Sequence, residues 1–185
     1  MPMPPPTTTT MTTKRPPVPI AALNACDRDA FVAALGHIFE RSPWVAEATY
    51  DRHPFRDAPQ LHGELCAALR AAPEARQLEL IRAHPDLAGR LSRPADLTGE
   101  SRSEQASAGL DSLTQDEGAE LARLNRAYRE RFGFPFVICA RLSDRKSILA
   151  ALRHRLENDT RAEREVALAE IEKIAWLRLQ DAVES

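Results

Sequence analysis

The sequence has only three cysteines in 185 residues, Cys26, Cys66 and Cys139, and no Cys-x-x-Cys pair. An odd, scattered set excludes a disulfide framework and a thiolate zinc site, and suits a chain kept in a reducing compartment. Lysine is nearly absent: Lys14, Lys146 and Lys173 stand among 25 basic residues, and the rest are arginine. The formal net charge is −2, so there is no basic field for nucleic acid. No run of ~18 apolar residues occurs, so no membrane span is expected. The chain also lacks His-Glu-x-x-His, clustered His and Cys, a glycine-rich phosphate loop and Gly-x-Ser-x-Gly. Those absences leave metal, nucleotide and serine-hydrolase chemistry without motif support. Residues 1–19, MPMPPPTTTTMTTKRPPVP, have little to bury and no apolar core of a secretory signal. They read as a disordered tail. The final residues, DAVES, lack a Ser-Lys-Leu type of peroxisomal address.

What is present is a chain with 43% hydrophobic and 28% charged residues, the balance of one ordinary globular domain. Helical spacing dominates residues 20–183. Asp27 is placed to cap a helix carrying Phe31, Leu35, Ile38 and Phe39. Pro43 opens a short one, Leu61, Leu65 and Leu69 recur every fourth residue, and a helix begun at Pro73 runs to His84. Three Ser/Thr-x-x-Glu patterns, Ser101–Glu104, Thr114–Glu117 and Thr160–Glu163, read as capping boxes. Gly133 reads as a stop, and Ser143 or Asp144 as the cap of the next helix. Residues 134–140 alone read as extended, and one short strand cannot make a sheet. The expected fold is an all-α, single-domain bundle of about seven to nine helices.

Three stretches could carry chemistry. In IRAHPDLAGR the helix stops at His84 because Pro85 lacks an N–H and disfavours helical geometry before it. That puts a group titrating near neutral pH at a helix end. The other histidines say less: His37 lies in an apolar pattern, His53 also precedes a proline, and His62 and His154 read as exposed. In ESRSEQASAGL a capping box explains Ser101 and Glu104. It does not explain Gln105, nor Gly109 inside a helix, where glycine suggests close approach by another backbone. A helix start that gathers hydroxyl, carboxylate and amide could also take an anionic ligand. The third stretch, FGFPFVICARL, is either core filling or an extended backbone offering its N–H and C=O groups to a small polar ligand.

Taken in order, HPDLAGR, SRSEQASAGL and FGFPFVICARLSDRKSILAALRHRLEND resemble the OHCU decarboxylase family, the 2-oxo-4-hydroxy-4-carboxy-5-ureidoimidazoline decarboxylases of urate breakdown. The last helix, EREVALAEIEKIAWLRLQD, fits as well, so the resemblance spans roughly residues 20–183. It implies an all-helical, cofactor-free, metal-free and usually dimeric enzyme that releases CO2 from the ureidoimidazoline and yields (S)-allantoin. His84 falls on the catalytic histidine, with Glu104 beside it as the acidic partner. Substrate contacts fall on Pro85, on Ser101, Arg102, Ser103, Glu104 and Gln105, and on Phe136, Val137, Ile138, Cys139 and Ala140. An arginine of the last helix faces the family's site, and Arg178 matches it. Without a peroxisomal address, the resemblance points to the cytoplasm. Two rival readings of the same residues are a non-catalytic helical interaction module and a cofactor-free lyase or hydrolase acting on another ureido compound.

Overall fold

The computed structural model describes residues 16–87, 98–110 and 112–184. Most of the segment read as tail, residues 1–15, lies outside that description. Nine α-helices are described, in the order α1 Ile20–Ala25, α2 Arg28–Leu35, α3 Trp44–Thr49, α4 Ala58–Ala71, α5 Glu74–Ala83, α6 Gly99–Ser107, α7 Gln115–Phe132, α8 Arg145–Arg155 and α9 Thr160–Ala182. The mostly helical, single-domain expectation therefore holds. Among the described residues the one sheet is a parallel pair of two-residue strands, β1 Val18–Pro19 and β2 Val183–Glu184, which joins the two ends of the fold.

Helix α9 is the axis of the bundle, ~34 Å long at 1.5 Å per residue. Ala167, Leu168, Ile171, Ile174, Ala175 and Leu179 form its buried stripe, and α2, α4 and α5 pack against it. Leu61, Leu65 and Leu69 of α4 are fully buried. Each such side chain contributes ~1.5–3 kcal/mol through the water it sheds. A charged residue sits near each end of the α9 stripe, Glu163 and Arg178, and both are buried.

Several helix ends are where the sequence places them. Asp27 accepts from the Ala30 N–H, and Thr114 and Glu117 form a complete capping box. Gly133 stops α7 at φ +74°, and Asp144 caps α8. Two capping boxes are corrected. The cap of α6 is Thr98, whose hydroxyl accepts from the Ser101 N–H, so Ser101 and Glu104 lie inside the helix. Asp159 caps α9, and Glu163 is buried beneath it. Gly109 is not inside a helix either. It follows α6 at φ +72°, and a Cβ there would meet only Ser112 Oγ, 3.7 Å away. The left-handed backbone, not a close neighbour, explains that glycine. Residues 133–139 carry no regular secondary structure. His62 is half-buried rather than exposed, with Nε2 2.9 Å from the Glu172 carbonyl.

Candidate active site

The site begins where α5 ends. His84 is the C-cap residue, extended at ψ 138° as a residue before proline must be. Its backbone N–H bonds to Ile81 O, so the carbonyl of Leu80 loses the partner a continuing helix would supply. The imidazole takes that place, with Nδ1 3.0 Å from Leu80 O. A carbonyl only accepts, so Nδ1 carries the hydrogen and Nε2 is left with its lone pair. His84 is buried. Burial pushes its pKa down to about 4, and Arg178 pushes the same way, while the bond to Leu80 and the charge of Glu40 oppose them. At neutral pH the ring is therefore neutral, with one fixed tautomer.

The second wall comes from α6. Capping by Thr98 sets the helix start so that Ser101, Glu104 and Gln105 face inward, on successive turns of one face. The third comes from α9, whose Arg178 side chain is only 4% exposed. Arg178 grips Glu104 with two nitrogens, Nε at 2.7 Å from Oε1 and Nη2 at 2.9 Å from Oε2. Its Nη2 also donates to Glu40 Oε2 at 3.0 Å and to Ser101 Oγ at 3.3 Å.

The fourth wall is the stretch from Phe134 to Ala140. Tyr128 of α7 packs edge-on against Phe134 and Phe136. The guanidinium of Arg155 lies 4.4 Å above the Phe136 ring and donates to the Val137 carbonyl at 2.7 Å. Arg155 is held in turn by the fully buried Glu163, which also accepts from Tyr128 and Asn158. Two residues on, the Cys139 N–H donates to Glu170 of α9 at 2.8 Å. The segment is thus pinned from behind at alternate residues.

These walls enclose one cavity, lined by His84, Pro85, Leu87, Ser101, Glu104, Gln105, Phe136, Val137, Ile138, Ala140, Ile174 and Arg178. It brings together every residue singled out from the sequence except three. Arg102 and Ser103 point to solvent, and Cys139 is turned into the core with its N–H on Glu170. The cavity measures about 30 Å³, room for a water or two and far below the ~300–1,000 Å³ of small-molecule sites. The Oε1 of Gln105 is buried in its wall without a hydrogen-bond partner, an acceptor ready for an N–H donor. Glu40 and Arg178 also border a more open depression of about 370 Å³, which includes neither His84 nor the 136–140 segment.

Glu40 is not among the residues singled out from the sequence. It sits in the turn after α2, and its side chain is 1% exposed. Burial alone would raise its pKa, but Arg178 and the Ser101 hydroxyl outweigh that and hold it below the usual carboxylate value. The one signal was position: an acid directly after the buried pair Ile38 and Phe39. Arg178 is raised in pKa, because its two carboxylates outweigh the cost of burial. Among the described residues no group of three or more potential metal ligands occurs, and no helix is long and apolar enough to cross a membrane.

A model of the family described as OHCU decarboxylase matches residues 24–180. A 2-oxo-4-hydroxy-4-carboxy-5-ureidoimidazoline decarboxylase of Amia calva is 43% identical to this chain over 162 residues, covering 88% of it and 93% of the relative. The chain belongs to the OHCU decarboxylase family. Two solved structures place the fold with it. A crystal structure of (S)-allantoin synthase superposes with a TM-score of 0.75 at 31% identity, over 91% of this chain and 55% of that one. This chain thus spans about half the length of that relative. A crystal structure of OHCU decarboxylase in the presence of (S)-allantoin superposes with a TM-score of 0.62 at 26% identity, over 82% of this chain and 94% of the other.

Proposed function

We propose that this chain is an OHCU decarboxylase, a carboxy-lyase of urate breakdown that converts 2-oxo-4-hydroxy-4-carboxy-5-ureidoimidazoline to (S)-allantoin and CO2. The observation that carries the reading is one cavity in a member of that family, with a neutral buried histidine, an arginine shared by two carboxylates, and a pinned backbone strip around it.

The substrate carries its carboxylate and a hydroxyl on one ring carbon. When CO2 leaves, the bonding electron pair passes into the adjacent C=N of the imidazoline, so the substrate supplies its own electron sink. The ring nitrogen that receives the pair takes up one proton from solvent, the hydroxyl gives up its proton to become a carbonyl, and the carbon bearing the ureido group gains one. Nε2 of His84 holds the lone pair that takes the hydroxyl proton. The imidazolium so formed feels the charge of Glu40 and returns a proton to one face of the ring, which sets the hand of the product. Acid–base help of this kind is worth roughly 10²–10⁴-fold. Arg178 takes the substrate's carboxylate, and Ser101, Glu104 and Gln105 take its hydroxyl, ring and ureido groups. Backbone groups of Phe136 to Ala140 that Arg155 and Glu170 leave available pair with the ureido edge. Held in place, these dipoles need no reorganisation as charge moves.

The test is to add the pure chain to freshly generated OHCU and follow its loss. A decarboxylase accelerates the decay far above its spontaneous rate. An interaction module leaves that rate unchanged, and a lyase for another ureido compound acts only on that compound. The reading extends to a cytoplasmic homodimer, in keeping with the resemblance. Light scattering that returns the mass of one chain at micromolar concentration would contradict the dimer, and activity sedimenting with membranes or organelles would contradict the compartment.

A further inference from the structure

The guanidinium of Arg178 is shared by two carboxylates that are held differently. Three donors converge on Glu40 Oε2: Arg178 Nη2 at 3.0 Å, Ser101 Oγ at 2.8 Å and Thr98 Oγ1 at 3.3 Å. They come from α9, from the first turn of α6 and from the cap of that helix. The backbone of Glu40 is fixed too, with its carbonyl accepting from Ser42 Oγ at 2.9 Å. The carboxylate of Glu104, in contrast, bonds only to Arg178 among the described residues. Its side chain is 13% exposed, against 1% for Glu40.

The cavity and the charges make this difference matter. With Glu104 on Arg178 the cavity measures about 30 Å³, well short of the ~300–1,000 Å³ of small-molecule sites. With a neutral His84, one arginine and two glutamates leave the cluster with an excess negative charge. An incoming carboxylate adds to that repulsion unless it takes the place of one already there. The two-nitrogen fork that Glu104 occupies is the geometry that suits a carboxylate, so one can replace the other without leaving the buried cation unpaired.

We propose that Glu40 is a positioning residue for the reaction: it fixes Arg178 and Ser101, so that Glu104 is the carboxylate that yields its place on Arg178 to the carboxylate of the substrate. The proposal rests on the decarboxylase reading. Glu40 itself does not touch the substrate. It keeps Nη2 of Arg178 and the hydroxyl of Ser101 in register while Glu104 swings to the substrate's hydroxyl and N–H donors. Without it, Arg178 follows Glu104 and the fork leaves its position. Misplacement on the scale of 1 Å costs on the order of 100-fold in rate.

The experiment compares steady-state kinetics of the parent chain, E40Q and E40D on fresh OHCU, with thermal melts of each. E40Q keeps an acceptor for Ser101 and removes the charge that anchors Arg178. Its kcat falls tenfold or more. Its KM stays level or drops, because the site carries one negative charge fewer for an anionic substrate. E40D keeps the charge at shorter reach and lies between E40Q and the parent. It decides the matter alone if E40Q does not fold. An unchanged kcat in folded E40Q overturns the proposal and makes Glu40 a structural acid. A KM raised tenfold at unchanged kcat also overturns it, since Glu40 would then be part of the anion's own binding site. A parent chain that leaves the OHCU decay rate unchanged overturns the decarboxylase reading and the proposal with it. An active parent with an unaffected E40Q overturns the proposal alone.

Discussion

Acid should destabilise this protein through His84, by an amount the burial of its ring sets. In the unfolded chain the imidazole titrates at its ordinary value of 6.5, while in the folded chain it titrates at about 4. The native state thus binds fewer protons than the unfolded state between those values. Stability is fully present above pH 6.5, falls as the pH drops through the window, and levels off below about pH 4. At pH 5 the unfolded imidazole is almost fully charged and the folded one is not, which costs on the order of 2 kcal/mol relative to pH 7.5. The assay is urea unfolding of the parent and of His84→Asn at both values. Other acid-sensitive groups, Glu40 among them, contribute to both proteins, so the difference between the two pH dependences isolates His84. The parent should lose about 2 kcal/mol more than the variant. Matching losses, within about 0.5 kcal/mol, would show that the ring is charged or solvated in the native state and would sink the base-first assignment. The same depressed pKa puts the acid limb of kcat/KM below pH 6 rather than at the value of a free imidazole.

Two further substitutions probe the walls of the site. Glu104→Gln leaves Arg178 paired with Glu40, so melting should shift by only a few degrees while kcat/KM falls ~100-fold or more; parent-like kinetics would reduce Glu104 to a filler of the empty site. Arg155→Met leaves Glu163 buried without its cation, at a cost of ~3–5 kcal/mol, or roughly 6–20 °C in Tm, and it frees the Val137 carbonyl, so KM rises. Adding Glu163→Gln should recover part of that stability but none of the KM, and a double variant no more stable than the single would contradict the pairing.

The sequence showed those features that depend on near neighbours. Asp27, the Thr114–Glu117 box, Gly133 and the stop at Pro85 are decided within four residues, and the structure has each of them. The Ser101–Glu104 box failed because Thr98, three residues earlier, takes the cap, and because the partners of both side chains lie far off in sequence. The Ser101 hydroxyl is taken by Glu40, 61 positions earlier, and the Glu104 carboxylate by Arg178, 74 positions later. Glu163 failed for the same reason, captured by Arg155 and Tyr128. Glu40 was overlooked despite its position, because a single acid after a helical run looks like a solvated one until its partners are known. Arg178 was found through the family resemblance rather than through spacing, since arginines recur along the arginine-rich helices. The retreat of Arg102, Ser103 and Cys139 from the cavity follows from periodicity: one helical face, or one side of a pinned strip, can point inward at a time.

The central claim is that Nε2 of His84 moves the protons of a stereoselective decarboxylation. Its most direct test is the circular dichroism of allantoin formed from fresh OHCU by the parent chain and by His84→Asn, with rates measured alongside. Asparagine keeps a polar group at the end of α5 and removes the titrating ring, and Pro85 still ends the helix. The parent should give (S)-allantoin rapidly. The variant should fold, lose ~100-fold or more in rate, and give allantoin with little or no optical signal as uncatalysed decay takes over. A folded His84→Asn chain that still makes (S)-allantoin at the parent rate would contradict the account at its centre.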